Sequence, residues 1–139
     1  RILNGNNLDI YEDGEESRDF VYIEDVVDAT ILGIEKEEAN GNIFNVGSGV
    51  STRVLDVANT LKRLYNSEIN ITVSGKFRFG DIRHNFADLS KSKDILGFTP
   101  KYNFERGITE FVNWVKTQEV MEDKYEKSIQ QLKNKGLIK

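Results

Sequence analysis

A chain of 139 residues, 38% apolar and 30% charged, suits one soluble globular domain and excludes a disordered or fibrous polymer. No run approaches the roughly 18 apolar residues of a membrane span, and with no cysteine and one histidine, His84, disulfides, thiolate metal sites and histidine clusters are excluded. The net charge of −4 is uneven, −9 over residues 1–41, +4 over residues 42–118 and +1 over residues 119–139, and the acidic start argues against a nucleic-acid surface.

Residues 8–11 read as a short strand between two turns, Asn4-Gly5-Asn6-Asn7 and Glu12-Asp13-Gly14. Asp19-Phe20-Val21-Tyr22 is expected to be extended. Asp25 is expected to cap a helix reaching about Lys36, with Val27, Ile31 and Ile34 at helical spacing and Asn40-Gly41 behind it. Residues 43–46 are β-prone and precede the turn Gly47-Ser48-Gly49. Ser51 or Thr52 can cap the next helix, whose apolar stripe is Val54, Val57, Ala58, Leu61 and Leu64. Residues 69–73 alternate as a strand, and the polar stretch 74–85 reads as a loop. Asp88 can cap a short helix ending at Gly97, and Asn103 a longer one carrying Phe104, Ile108, Phe111, Val112 and Val115. Met121, Tyr125, Ile129 and Leu132 predict a tail helix over residues 119–135. The pattern is α/β with a late helical run.

Three segments are candidates for chemistry. Arg18, in a loop mouth before an extended run, can offer a planar fork to a diphosphate, or can be a surface arginine paired with Glu15, Glu16 or Asp19. The segment Asn45-Val46-Gly47-Ser48-Gly49-Val50-Ser51-Thr52 can cradle an anion on backbone N–H groups. It lacks the third glycine of a dinucleotide fingerprint and the Gly-Lys-Ser/Thr ending of a P-loop, so a plain turn is the better reading. In the third segment, residues 78–88, Arg78 and Arg83 can bind phosphate and Asp81 can accept from sugar hydroxyls. They belong to a basic middle with Arg53 and Lys76, which suits a small anion or a solvated surface. A general-base role for His84 needs a partner, and none is apparent.

The order and separation of these segments resemble the C-terminal half of extended short-chain dehydrogenase/reductase enzymes, the nucleotide-sugar epimerases and dehydratases. The stretches "EDGEESRDFVYIEDVVDA", "GNIFNVGSGVSTRVLDVANTL" and "RFGDIRHNFADLSKSKDILGFTPKYNFERGITEFVNWV" carry the likeness, most of all to 4-epimerases of UDP- or dTDP-sugars. The resemblance implies that Arg18 and Arg78 bind the diphosphate, Asp81 approaches the ribose and Tyr11 flanks the base. It assigns no role to Arg83. It implies an α/β fold: the C-terminal substrate-binding lobe over residues 1–118, with elements that complete a Rossmann-type sheet, and a helical tail over residues 119–139.

Such enzymes need a glycine-rich NAD-binding turn and a Tyr-x-x-x-Lys pair. Neither occurs: four residues after Tyr11, Tyr22, Tyr65, Tyr102 and Tyr125 stand Glu15, Val26, Ile69, Arg106 and Ile129. The resemblance places both in an upstream NAD-binding Rossmann domain that this chain lacks. The chain begins at Arg1, shows no signal peptide and is expected to be a fragment. The implied function is the nucleotide-sugar-binding part of an NAD-dependent 4-epimerase, inactive alone. The alternatives are part of a sugar-nucleotide dehydratase or decarboxylase, or a non-catalytic binding protein of the same fold. The partner is a UDP- or dTDP-sugar, with no nucleic acid and no membrane, in a cytoplasmic homo-oligomer. Residues 43–46 and the preceding helix would lose sheet partners in the isolated chain. Self-association or local disorder around residues 20–46 is therefore expected, or else pairing of residues 43–46 with residues 69–73.

Overall fold

The computed structural model describes residues 1–138. Its contacts gather into two compact units, each discontinuous in sequence: residues 1–16, 53–83 and the chain from Phe111 onward form the first, and Ser17–Thr52 with His84–Glu110 the second.

The first unit is built on β1 (Leu8–Ile10) and β4 (Ile71–Val73), which pair in parallel with Leu8 opposite Ile71 and Ile10 opposite Val73. A parallel pair needs a long crossover, and α2 (Val54–Leu64) lies against β1 within it. Neither Ser51 nor Thr52 caps α2. Thr52 is drawn into a two-residue strand, β3 (Thr52–Arg53), and the N-cap is Arg53. The first helical amides find backbone carbonyls instead: Val54 N–H donates to Glu16 (2.8 Å) and Leu55 N–H to Gly14 (3.2 Å). No hydroxyl cap is then required. The second half of α3 (Phe104–Lys116) belongs to this unit and buries Val112. The tail helix, α4 (Tyr125–Asn134), is shorter than its periodicity predicts. Asp123 Oδ1 accepts the Tyr125 amide at 2.9 Å and so sets the start. Met121 stays outside the helix and exposed, while Ile129 is buried.

The second unit holds β2 (Ser17–Arg18), which pairs with β3, and α1 (Ile23–Glu35). Its core is Ala29, Leu96 and Phe98, with Leu32, Ala39, Phe44, Leu89 and Ile95 against them. Asp25 does not cap α1. The N-cap is Tyr22, and Asp25 lies in the first turn, 1% exposed, where its carboxylate accepts the amides of Lys101 (2.8 Å) and Tyr102 (3.1 Å). A carboxylate committed to that loop is not free to cap. Asp88 and Asn103 do start helical turns: Asp88 Oδ1 accepts the Ser90 amide and Asn103 Oδ1 the Arg106 amide, each at 2.9 Å. The first of these turns ends at Gly97, whose φ of +68° is left-handed. Residues 43–46 form no strand. They have no strand partner among the described residues, and Ile43 is 86% exposed. Pairing with residues 69–73 does not occur either: among the described residues Ile71–Val73 pairs with β1 alone.

Candidate functional site

The first unit brings together three of the four residues singled out for ligand binding. Tyr11 follows β1, and Arg78 and Asp81 follow β4, so the parallel pair delivers both segments to one end of the strands. The Arg78 guanidinium lies 5.4 Å from the Tyr11 ring centroid, and its Nε stands 4.0 Å from Asp81 Oδ2. Gly80, at φ +79°, turns the chain between Arg78 and Asp81.

Arg53, Lys76 and Arg83, grouped with Arg78 by charge, are committed to carboxylates. Arg53 holds Glu15 (3.2 Å) and Asp56 (2.7 Å), and Lys76 holds Asp9 (2.7 Å). Arg83, which the resemblance leaves without a role, grips Glu12 (3.0 Å), Asp13 (2.6 Å) and Glu16 (3.3 Å). It thereby offsets part of the charge of the densest acidic run. Burial, together with the neighbouring Glu12 and Asp13, raises the Glu16 pKa above the ordinary carboxylate value. Arg78 makes the longest of these ion pairs and sits half-exposed beside an aromatic face, which suits it to an incoming phosphate.

Tyr11 has a partner that motif reading does not disclose. Tyr125 of α4 donates its hydroxyl to Asp9 Oδ2 at 3.1 Å, and the Tyr11 hydroxyl lies 3.2 Å from that of Tyr125. Because the carboxylate can only accept, Tyr125 is the donor to Asp9 and Tyr11 the donor to Tyr125. Burial and the contact with Tyr11 push the Tyr125 pKa well up. Burial opposes charge on Asp9, but the hydrogen bonds from Lys76, Ser74 and Tyr125 outweigh it and hold the pKa below its ordinary value.

Arg18 lies in the second unit. Its guanidinium donates to the Ser17 carbonyl (2.8 Å) and lines a polar cavity of about 360 Å³ with Asn45 and Asn85. The neighbouring glycine turn is not an anion cradle. The amides of Ser48 (2.7 Å) and Gly49 (2.9 Å) already donate to the Asp19 carboxylate, which also takes the Ala87 amide (3.1 Å). A Cβ at Gly47 would overlap that carboxylate and come within 2.6 Å of Ala87 Cβ. Burial opposes the charge on Asp19, and the Ser48 and backbone hydrogen bonds prevail, lowering its pKa. The Ser48 and Gly49 amides are thus spent on Asp19, and the Val50 amide on Ser48 Oγ (3.2 Å). His84 acquires a hydroxyl neighbour: Ser51 donates to Ser17 Oγ (2.6 Å), which lies 2.9 Å from His84 Nδ1. Among the described residues no cluster of acids and histidine is arranged to hold a metal ion, and no helix is long and apolar enough to cross a membrane.

A family model described as GDP-mannose 4,6 dehydratase matches residues 1–111. The dTDP-L-rhamnose 4-epimerase of Burkholderia thailandensis is 41% identical over 108 residues, which are 78% of this chain and 30% of that protein. A UDP-glucose 4-epimerase from Thermotoga maritima, solved with UDP-glucose, superposes with a TM-score of 0.77 at 34% identity, over 84% of this chain and 37% of that one. A dTDP-glucose 4,6-dehydratase from Bacillus anthracis, solved with NAD, gives 0.74 at 26% identity, over 84% and 36%. The chain therefore spans about a third of the length of the proteins it matches.

Proposed function

We propose a function on this premise: the chain belongs to the nucleotide-sugar epimerase and dehydratase family described by the GDP-mannose 4,6 dehydratase model. Within that family it is the nucleotide-sugar-binding, C-terminal part of an NAD-dependent 4-epimerase that acts on a UDP- or dTDP-sugar. The observation that carries this reading is the grouping of Tyr11, Arg78 and Asp81 at one end of the β1–β4 pair. An aromatic face suits a nucleobase, a guanidinium suits a diphosphate, and a carboxylate accepts from ribose hydroxyls. Arg18 is proposed as a further diphosphate ligand. When bound, NAD supplies oxidation at the sugar C4 and return of hydride to the opposite face. The glycine turn in this chain is closed on Asp19, and no Tyr-x-x-x-Lys pair is present, so the cofactor and the acid/base pair belong to a part of the enzyme outside these 139 residues. Binding and orienting the substrate are then what this region contributes.

A dehydratase is the second reading, favoured by the description of the family model. Both readings require a nucleoside-diphosphate site. Titration calorimetry of the chain with UDP-glucose, UDP and uridine tests it. UDP-glucose and UDP should bind, with uridine weaker because it lacks the phosphates. Equal affinity for UDP and uridine, or no binding of any of the three or of their dTDP and thymidine counterparts, would overturn the assignment.

A further inference from the structure

The tail beyond the family match is tied to the segments that carry the proposed nucleotide ligands. Two residues beyond α4, Gly136 has a left-handed φ of +67° that lets the chain reverse, with the Gly136 amide on the Lys133 carbonyl (2.9 Å) and the Leu137 amide on the Leu132 carbonyl (2.9 Å). The reversal lays Leu137 and Ile138 along the Arg78 segment. Ile138 forms an antiparallel bridge with Arg78, the Phe79 amide donates to the Leu137 carbonyl at 3.1 Å, and Ile138 is buried. At the other end of the tail, Tyr125 joins Asp9 to Tyr11 through its hydroxyl. Before α4, Asn4 and Asn6 hold the Met121 carbonyl (3.0 Å) and Asp123 (2.7 Å).

We infer that residues 121–138 are a positioning clasp for the nucleotide site: the terminal bridge orders the Arg78 loop, and Tyr125 fixes the Tyr11 ring. This rests on the nucleotide-binding reading above. A bare loop carrying Arg78, Gly80 and Asp81 would have to be ordered when the ligand binds, at a cost in affinity. Backbone pairing with Leu137 and Ile138 meets that cost during folding. Tyr125 acts likewise on Tyr11, because a phenol held by its hydroxyl cannot swing its ring away about χ1.

The two ends of the clasp have different signatures, which a merely stabilising tail would not produce. Tyr125→Phe keeps the ring and removes both hydroxyl contacts. It should weaken uridine and UDP alike, by about 3- to 10-fold. Tyr11→Phe should do the same, and the double variant should lose no more than either alone. Ending the chain after Lys135 should instead weaken UDP more than uridine, and hydrogen exchange at the Phe79 amide should accelerate. Unchanged Phe79 exchange in the truncated chain would overturn the inference. So would unchanged UDP affinity in both variants, or a tighter UDP complex, which would make the tail an occluding segment. Absence of UDP and dTDP binding by the unaltered chain would instead overturn the nucleotide reading, while Phe79 exchange still decides whether the tail orders the loop.

Discussion

Arg78 and Arg83 stand five residues apart and are used in opposite ways. Arg83 is committed to three carboxylates of the 12–16 segment, so its replacement should loosen that loop rather than a ligand. Arg78, beside the Tyr11 ring, is the residue proposed to hold the diphosphate. A charge-assisted hydrogen bond contributes roughly 1.5–3 kcal/mol, so Arg78→Ala should lower UDP affinity by about one to two decades and leave uridine nearly unaffected. Arg18→Ala should behave similarly. Calorimetry showing unchanged affinity for both variants would refute the anion site, and an equal loss for uridine would indicate misfolding. Asp25 has a purely structural task. Asp25→Ala leaves the amides of Lys101 and Tyr102 without their acceptor, and each hydrogen bond to a charged group contributes about 1.5–3 kcal/mol. A thermal midpoint lowered by several degrees, with UDP affinity retained by the folded protein, is the expected result.

At the scale of elements, α1 is apolar on too many sides. One side packs Ala29 and Leu32 into the core, while Ile23, Val27, Ile31 and Ile34 stay 45–78% exposed. A second apolar stripe on a helix, beside the one that faces the core, is normally covered. Phe20, Ile43 and Val50 add further exposed apolar surface in the same unit. The isolated chain should therefore self-associate, and Val27→Lys with Ile31→Lys should return the mass measured by light scattering to that of a monomer. A strict monomer of the unaltered chain at high concentration would contradict this. The glycine turn behaves differently: its amides have an internal anion, Asp19, and it serves to tie residues 19, 48, 49 and 87 together.

For the whole molecule, the titrating carboxylates set the acid limit of stability. Asp9 and Asp19 have folded pKa values below their ordinary ones. Their contribution is whole above the unfolded value near 4 and disappears as pH falls through the lowered folded values. Glu16, with a raised pKa, works in the opposite sense and is relieved by protonation. The midpoint of thermal unfolding should fall as the pH drops below about 4, and Asp19→Asn should flatten that decline. A midpoint independent of pH across this range would contradict the assignment. The proposed division of labour also predicts that the purified chain neither epimerises a nucleotide sugar nor retains NAD. Turnover by this chain, free of longer enzyme, would refute it.

Local chemistry determined much of this protein. Asn103 and Asp88 cap where short side chains can reach an amide two or three residues on, Gly97 ends its helix where a left-handed residue fits, and flanking turns mark the β1 segment and alternation the β4 segment. The ordered motifs around Arg18, Gly47 and Arg78 carried the family, because each depends on nearby residues alone. Tertiary structure decided the remainder. Asp25 has the composition of a cap, but two amides 76 and 77 residues away claim its carboxylate. Residues 43–46 have strand propensity, but a strand exists only when another offers its ladder, and none does among the described residues. Charge alone does not separate Arg53, Lys76, Arg78 and Arg83; only the fold gives three of them close carboxylates and sets Arg78, 4.0 Å from Asp81, beside an aromatic face. Tyr125 reads as one rung of a helical stripe, and its link to Asp9 and Tyr11 spans more than 110 residues, a distance over which no local pattern carries information.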